Sequence, residues 1–222
     1  MKTAIQIAKI RAVVLYIMQS FTQGVDYIKL FKILYFAQQD HLVKYGKVIV
    51  EDSFRALKHG PVPAYTYKAL QIAEGKPLDG NFDEFLSDIE VRDKKVYTSA
   101  VPDMDYISGA NKRCLDAAIA KYKDTDPYDL SDLSHDSAWE EAMTRIQDDP
   151  QKNFTDDAAI PVAENDAIYG IPKSQMLLGV LASDCFKPNS HLEASMSYML
   201  RFPSFLRYTP GSTSTGSTSF NI

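Results

Sequence analysis

Two runs of apolar residues at helical spacing, each closed by a glycine, occupy the first 46 residues and commit the chain to a helical framework. Thr3 can cap the first run, where Ile7, Ile10, Val14, Ile17 and Met18 recur on a helix pattern until Gly24 stops it. Asp26 can cap the second. There Leu30, Leu34, Ala37 and His41 align on one side with Phe31, Tyr35, Gln38, Leu42 and Tyr45 beside them, and Gly46 supplies the C-terminal stop.

The period then changes. Val48-Ile49-Val50 and Ser53-Phe54-Arg55-Ala56 are short β-rich pieces, and Gly60-Pro61-Val62-Pro63 is expected to break any regular element because each proline lacks an amide hydrogen and restricts its predecessor. Helices are expected over Ala64 to Ala73 and Asp83 to Asp88. Ile89-Glu90-Val91-Arg92 and Lys95-Val96-Tyr97-Thr98, flanking Asp93-Lys94, make a hairpin. Further helical patterns run from Asp105 to Lys123 and from Ser134 to Ile146. The fold class is therefore mainly α (α+β): a compact helical domain with a small antiparallel sheet, drawn from the 47 to 58 and 89 to 99 regions and packed around the second helix. Gln151 to Asn165 is polar and acidic and reads as a connector. Two shorter helices are expected near Pro172 to Ser183 and Ser190 to Leu200, before a Thr209 to Ser219 stretch of Ser, Thr and Gly with nothing to bury.

At 222 residues, 45% hydrophobic and 24% charged, the chain has an ordinary globular composition. No apolar run reaches the ~18 residues that a spanning helix needs. Lys9 and Arg11 interrupt any signal-peptide reading of Ala12 to Met18, and Cys114 and Cys185 lie too far apart in sequence for a CxxC motif, so the expected compartment is the cytoplasm. The net charge of -5 is unevenly laid out. Residues 1 to 60 hold nine Lys and Arg against four Asp and Glu, a local +5, while the remaining 15 basic and 25 acidic residues leave -10. Such opposition fits a nucleic-acid arm, a partner-binding face, or two halves that pack together.

Catalytic signatures are missing. There is no GxGxxG, no complete phosphate-binding loop around Gly75-Lys76 and no GxSxG elbow. His41, His59, His135 and His191 are scattered without metal-ligand companions, and the Asp124 to Asp136 acidic series has Asp129 where a calcium loop requires glycine, so a solvated helix start is the better reading. Glu140-Glu141 diverge on a helix and do not form an acid/base pair. The basic segment offers phosphate attraction at most, since no nucleic-acid-binding module accompanies it.

Three segments carry a family signature. Lys29-Leu30-Phe31-Lys32-Ile33-Leu34-Tyr35-Phe36-Ala37-Gln38, with His41-Leu42 and Tyr45-Gly46, comes first. Phe54-Arg55-Ala56-Leu57-Lys58-His59-Gly60-Pro61-Val62-Pro63 and then Leu130-Ser131-Asp132-Leu133-Ser134-His135-Asp136-Ser137-Ala138-Trp139 follow. In order and spacing they resemble the Panacea domain family, the SocA-like antitoxins of bacteria and their phages. The resemblance covers residues 1–150, leaving 151–208 as a C-terminal helical extension and 209–222 as a flexible tail. It implies a helical domain with a small sheet and no enzymatic activity; no cofactor and no metal are expected. It also implies a toxin partner, usually from a neighbouring gene, neutralised by binding or by delivery to an ATP-dependent protease such as ClpXP.

Aromatic residues at helical spacing are ordinarily core, which gives Tyr35, His41 and Trp139 structural work. Lys32, Arg55, Lys58 and His59 are poor core material and are expected to bind the partner together with the Gly60, Pro61, Val62, Pro63 turn. His135 can either cap the following helix or hold Asp136 and its backbone; the sequence leaves both open. The rival functions are a DNA-binding regulator and a cryptic hydrolase.

Overall fold

The computed structural model describes residues 2–147 and 149–160. The expected helices near Pro172 to Ser183 and Ser190 to Leu200, and the Thr209 to Ser219 tail, lie outside the described residues.

Helix α1 (Ala4–Met18) begins with a reciprocal capping box between Thr3 and Gln6. Gly24, at φ +75°, turns the chain into a two-residue strand β1 (Val25–Asp26), and the Asp26 carboxylate accepts from the Ile28 N–H at the start of α2 (Tyr27–Tyr45). Gly46 ends α2 in the left-handed conformation. Residues on nearly every side of α2 are buried, from Leu30 and Phe31 through Ile33, Leu34, Ala37 and Leu42. A helix buried all round is a central one, and α2 packs against α1, α5 (Gly109–Tyr122), α6 (Pro127–Leu133) and strand β3 (Gly60–Pro63).

The fold class is as expected, but the strands are arranged differently. β2 (Phe54–Leu57) pairs antiparallel with β3, so the Gly60 to Pro63 segment extends a ladder instead of breaking it. The reason is spacing. Alternate residues of an antiparallel strand form no ladder hydrogen bonds, and Pro61 and Pro63, two apart, both take those positions while Gly60 faces Leu57 and Val62 faces Arg55. Val48-Ile49-Val50 is not a strand. Ile49 and Val50 are buried in irregular chain, and the Val50 N–H is satisfied by the Gln38 side chain at 3.1 Å.

Helix α3 (Ala64–Ala73) follows with no side-chain cap of its own from Pro63. Asp52 substitutes from a distance, its buried carboxylate accepting from the Tyr65 and Thr66 N–H groups and the Thr66 hydroxyl at 2.7–2.9 Å. Burial drives its pKa up, opposed by those three hydrogen bonds. After the short α4 (Asp83–Leu86) comes the hairpin of β4 (Ile89–Arg92) and β5 (Lys95–Thr98), with Asp93 and Lys94 at φ +50° and +61°. Two positive φ values mark the primed turn favoured by two-residue hairpins. β5 also pairs with β1, making a three-stranded sheet separate from the β2–β3 pair, so the single sheet expected from the sequence is in fact two.

The Asp105 to Lys123 pattern resolves into a 3-10 turn and α5, which opens on a Ser108–Asn111 capping box. The acidic series resolves into two helix starts, Asp126 capping α6 and Asp136 capping α7 (Ser137–Ile146). Residues 151–160 of the expected connector are not free chain. They continue through 3-10 turns back to β2, where the Ile160 N–H donates to the Phe54 carbonyl at 3.0 Å and Ala159 bridges Arg55.

Candidate functional site

The β2–β3 hairpin is held between α2 and the α6–α7 corner by contacts that join all three sequence segments. The Trp139 indole N–H donates to the Leu57 carbonyl at 2.8 Å, and the His135 ring stacks on the Trp139 ring with centroids 3.8 Å apart and planes 14° from parallel. Asp136 serves three groups. One oxygen accepts the Trp139 N–H at 3.0 Å; the other accepts the Tyr35 hydroxyl at 2.7 Å and the Gln39 amide at 2.6 Å, fastening α7 to α2. The helix cap is thus Asp136, and His135 holds its place through the stack. Its buried Nε2 has no hydrogen-bond partner among the described residues, and burial is the first cause of its lowered pKa, followed by the charge of Lys32.

Gly60 lies where these elements meet. Its φ is +85°, and a Cβ there would overlap Ser134 Oγ and sit 2.7 Å from Lys32 Nζ. Lys32 itself is 1% exposed. Its ammonium donates to the Pro61 carbonyl at 2.8 Å and has no carboxylate partner among the described residues, so burial alone pushes its pKa down to about 7.

Beside this junction a groove of about 480 Å³ opens between α2, the hairpin, α3 and the start of α6. Phe31, Leu57, Val62 and Tyr67 supply its apolar wall; Lys58, Lys76 and Lys94, with the buried Lys32, are its lysines. Lys58 and His59 form the exposed two-residue turn of the hairpin, with His59 edge-on to Tyr128 at 6.0 Å. Three acids line the groove as well. Asp26 and Asp126 cap their helices at 2.7 and 2.8 Å, and Glu74 pairs with Lys76 at 3.4 Å.

The profile of the antitoxin SocA-like family, Panacea domain, matches residues 30–140, half of the chain. The chain belongs to this family. No curated protein and no solved structure gives a significant match. The matched span of the Panacea domain begins on α2 and ends on α7, enclosing the whole of the junction just described.

Within the Panacea domain the expected partner-binding residues separate. Lys32, Lys58, His59 and Val62 line the groove together. Gly60, Pro61, Val62 and Pro63 are buried. Arg55 faces the opposite strand edge, where its guanidinium donates to the Thr155 carbonyl at 2.7 Å and reaches Asp156 at 3.5 Å. Tyr35 and His41 are buried, and Trp139 is half-buried at the junction. His41 is buried, its Nδ1–H donating to the Lys47 carbonyl at 2.6 Å while Nε2 accepts from the Asn111 amide at 3.0 Å, which fixes the neutral tautomer; burial lowers its pKa. Sequence reasoning missed Asp52, Gln39 and Asn111, whose roles depend on partners 14, 97 and 70 residues away. It also missed the Phe31 and Tyr67 wall, whose edge-to-face rings lie 5.7 Å apart. No helix among the described residues is long and apolar enough to cross a membrane.

Proposed function

We propose that this chain is a non-enzymatic cytoplasmic antitoxin that neutralises a cognate toxin, made from an adjacent gene, by binding it directly or by delivering it to an ATP-dependent protease. The observation that carries this reading is the family match over residues 30–140. The geometry adds support. Lys58 and His59 stand exposed at the tip of a hairpin that is fixed directly behind the turn by Trp139 on Leu57, Lys32 on Pro61 and the close packing at Gly60. A recognition turn held this way loses little conformational freedom on binding. In this reading Lys58 and His59 touch the toxin, Lys32 and Val62 contribute through the groove, and Arg55, Gly60, Pro61 and Pro63 hold the turn in position.

Co-expression with the adjacent gene product tests it. The expected outcome is rescue of growth and a complex that copurifies at both about 50 and 200 mM salt, because specific protein interfaces do not carry the steep salt dependence of phosphate binding. Absence of rescue with no copurifying protein contradicts the antitoxin reading. Retention on nucleic acid that collapses across that salt range would favour a DNA-binding regulator instead.

A further inference from the structure

An ammonium group has three donor hydrogens and a strong preference for water or a carboxylate. Lys32 has been removed from water, gives one hydrogen bond to the Pro61 carbonyl, and meets no carboxylate among the described residues. Salt bridges elsewhere in the described residues do not involve it, and Lys58 and Lys94 at the same groove are likewise without an ion-pair partner. Of the acids that line the groove, Asp26 and Asp126 sit at helix caps and Glu74 beside Lys76, and none of them pairs with Lys32. The groove therefore joins one buried amine, with no carboxylate beside it among the described residues, to the exposed Lys58 and Lys94 and to an aromatic and aliphatic wall.

We propose that this groove is the docking site for a toxin segment that presents a carboxylate beside an apolar side chain, with Lys32 as the buried anchor of the carboxylate. Phe31 and Tyr67 take the apolar group, and Lys58 and Lys94 draw the anion in from the rim. A desolvated charge-assisted hydrogen bond is stronger than a neutral one, and the depressed proton affinity of Lys32 is the cost the free protein carries until an anion arrives. The identity of the occupant as a toxin segment rests on the antitoxin reading; the anion chemistry of the groove does not.

The test uses the full chain with lysine labelled with carbon-13 at the ε position, titrated by NMR with hydrocinnamate, its neutral amide, and inorganic phosphate. Hydrocinnamate is expected to bind saturably and to move the Lys32 ε resonance, identified by its loss in Lys32→Met. The amide and phosphate should each bind roughly ten-fold more weakly or worse. Lys32→Met should weaken hydrocinnamate to a similar degree, and a Lys58→Ala, Lys94→Ala variant, altered only at exposed positions, should weaken it to a smaller degree. Equal binding of acid and amide, equal binding of phosphate, or saturation without movement of the Lys32 resonance overturns the site. The toxin arm is separate. Rescue by folded Lys32→Met at the wild-type level overturns docking through this groove while leaving the antitoxin function intact, whereas absence of any toxin defeats that function and leaves the hydrocinnamate result to stand on its own.

Discussion

The two hairpins have four-residue strands and two-residue turns, yet they are built on opposite principles. In β4–β5 the turn residues Asp93 and Lys94 adopt the positive φ pair that the connection demands, and Glu90, Arg92 and Lys95 stay exposed. In β2–β3 every residue of the second strand is buried, and the hairpin is fixed by groups remote in sequence: Trp139, Lys32 and the space left at Gly60. One hairpin is specified by its own turn, the other by its surroundings. The difference teaches that the Gly-Pro-Val-Pro segment is a buried strand, with Lys58 and His59 as the exposed residues of its hairpin's turn.

Gly60→Ala is the sharpest way to break this contrast. It combines a strained φ with overlap against Ser134 and Lys32, and a loss of about 2 to 5 kcal/mol is expected, enough to unfold a marginal domain in thermal or urea denaturation. Trp139→Ala comes next at about 3 kcal/mol, since it removes the ring packed on His135 and leaves the Leu57 carbonyl without its donor. A melting temperature unchanged by either substitution would mean that the hairpin does not depend on the junction.

Lys32→Met sharpens the comparison through pH. The folded chain releases the Lys32 proton near 7, whereas the unfolded chain holds it to the ordinary value of 10.5. Between those values the unfolded state binds more protons, so wild-type stability gains from rising pH, by up to about 1.4 kcal/mol per pH unit. The variant lacks this slope. Its stability relative to wild type should be most favourable below pH 7 and decline steadily toward pH 10.5, as read by urea titrations at several pH values; a difference independent of pH would place the amine in water. The smallest effect belongs to the other hairpin. Lys94→Gly relieves a positive φ and is expected to stabilise by about 0.5 to 1 kcal/mol, whereas a loss of stability would show that the β4–β5 turn is held by contacts and not by its own conformation.

Legibility in the sequence followed the same division. The β4–β5 strands and α3 were read with their observed limits, because alternation, turn residues and helical periodicity are local signals. The first two helices were legible from their caps, Thr3, Asp26 and Gly46. β3 was misread because proline is judged by its missing N–H, and only the register against β2 shows that those N–H groups were never required. Val48 to Val50 was misread because β-branched residues bury as well in irregular chain, given a donor-matching side chain such as Gln38. At the candidate site the order of three segments pointed to the family, but residue type does not announce that Lys32 is buried with its ammonium on the Pro61 carbonyl or that Arg55 bonds the Thr155 carbonyl, which are tertiary facts.

The central claim is that Lys58 and His59, at the tip of the β2–β3 hairpin, engage the toxin, and that Arg92 and Lys95 on the strands of β4–β5 do not. Growth rescue on co-expression, measured for Lys58→Ala with His59→Ala and for Arg92→Ala with Lys95→Ala, tests it most directly, because all four residues are exposed and both variants should melt within about 1 °C of wild type. The account predicts that the first pair loses rescue and the second keeps it. Full rescue by the first pair at wild-type protein levels would contradict it.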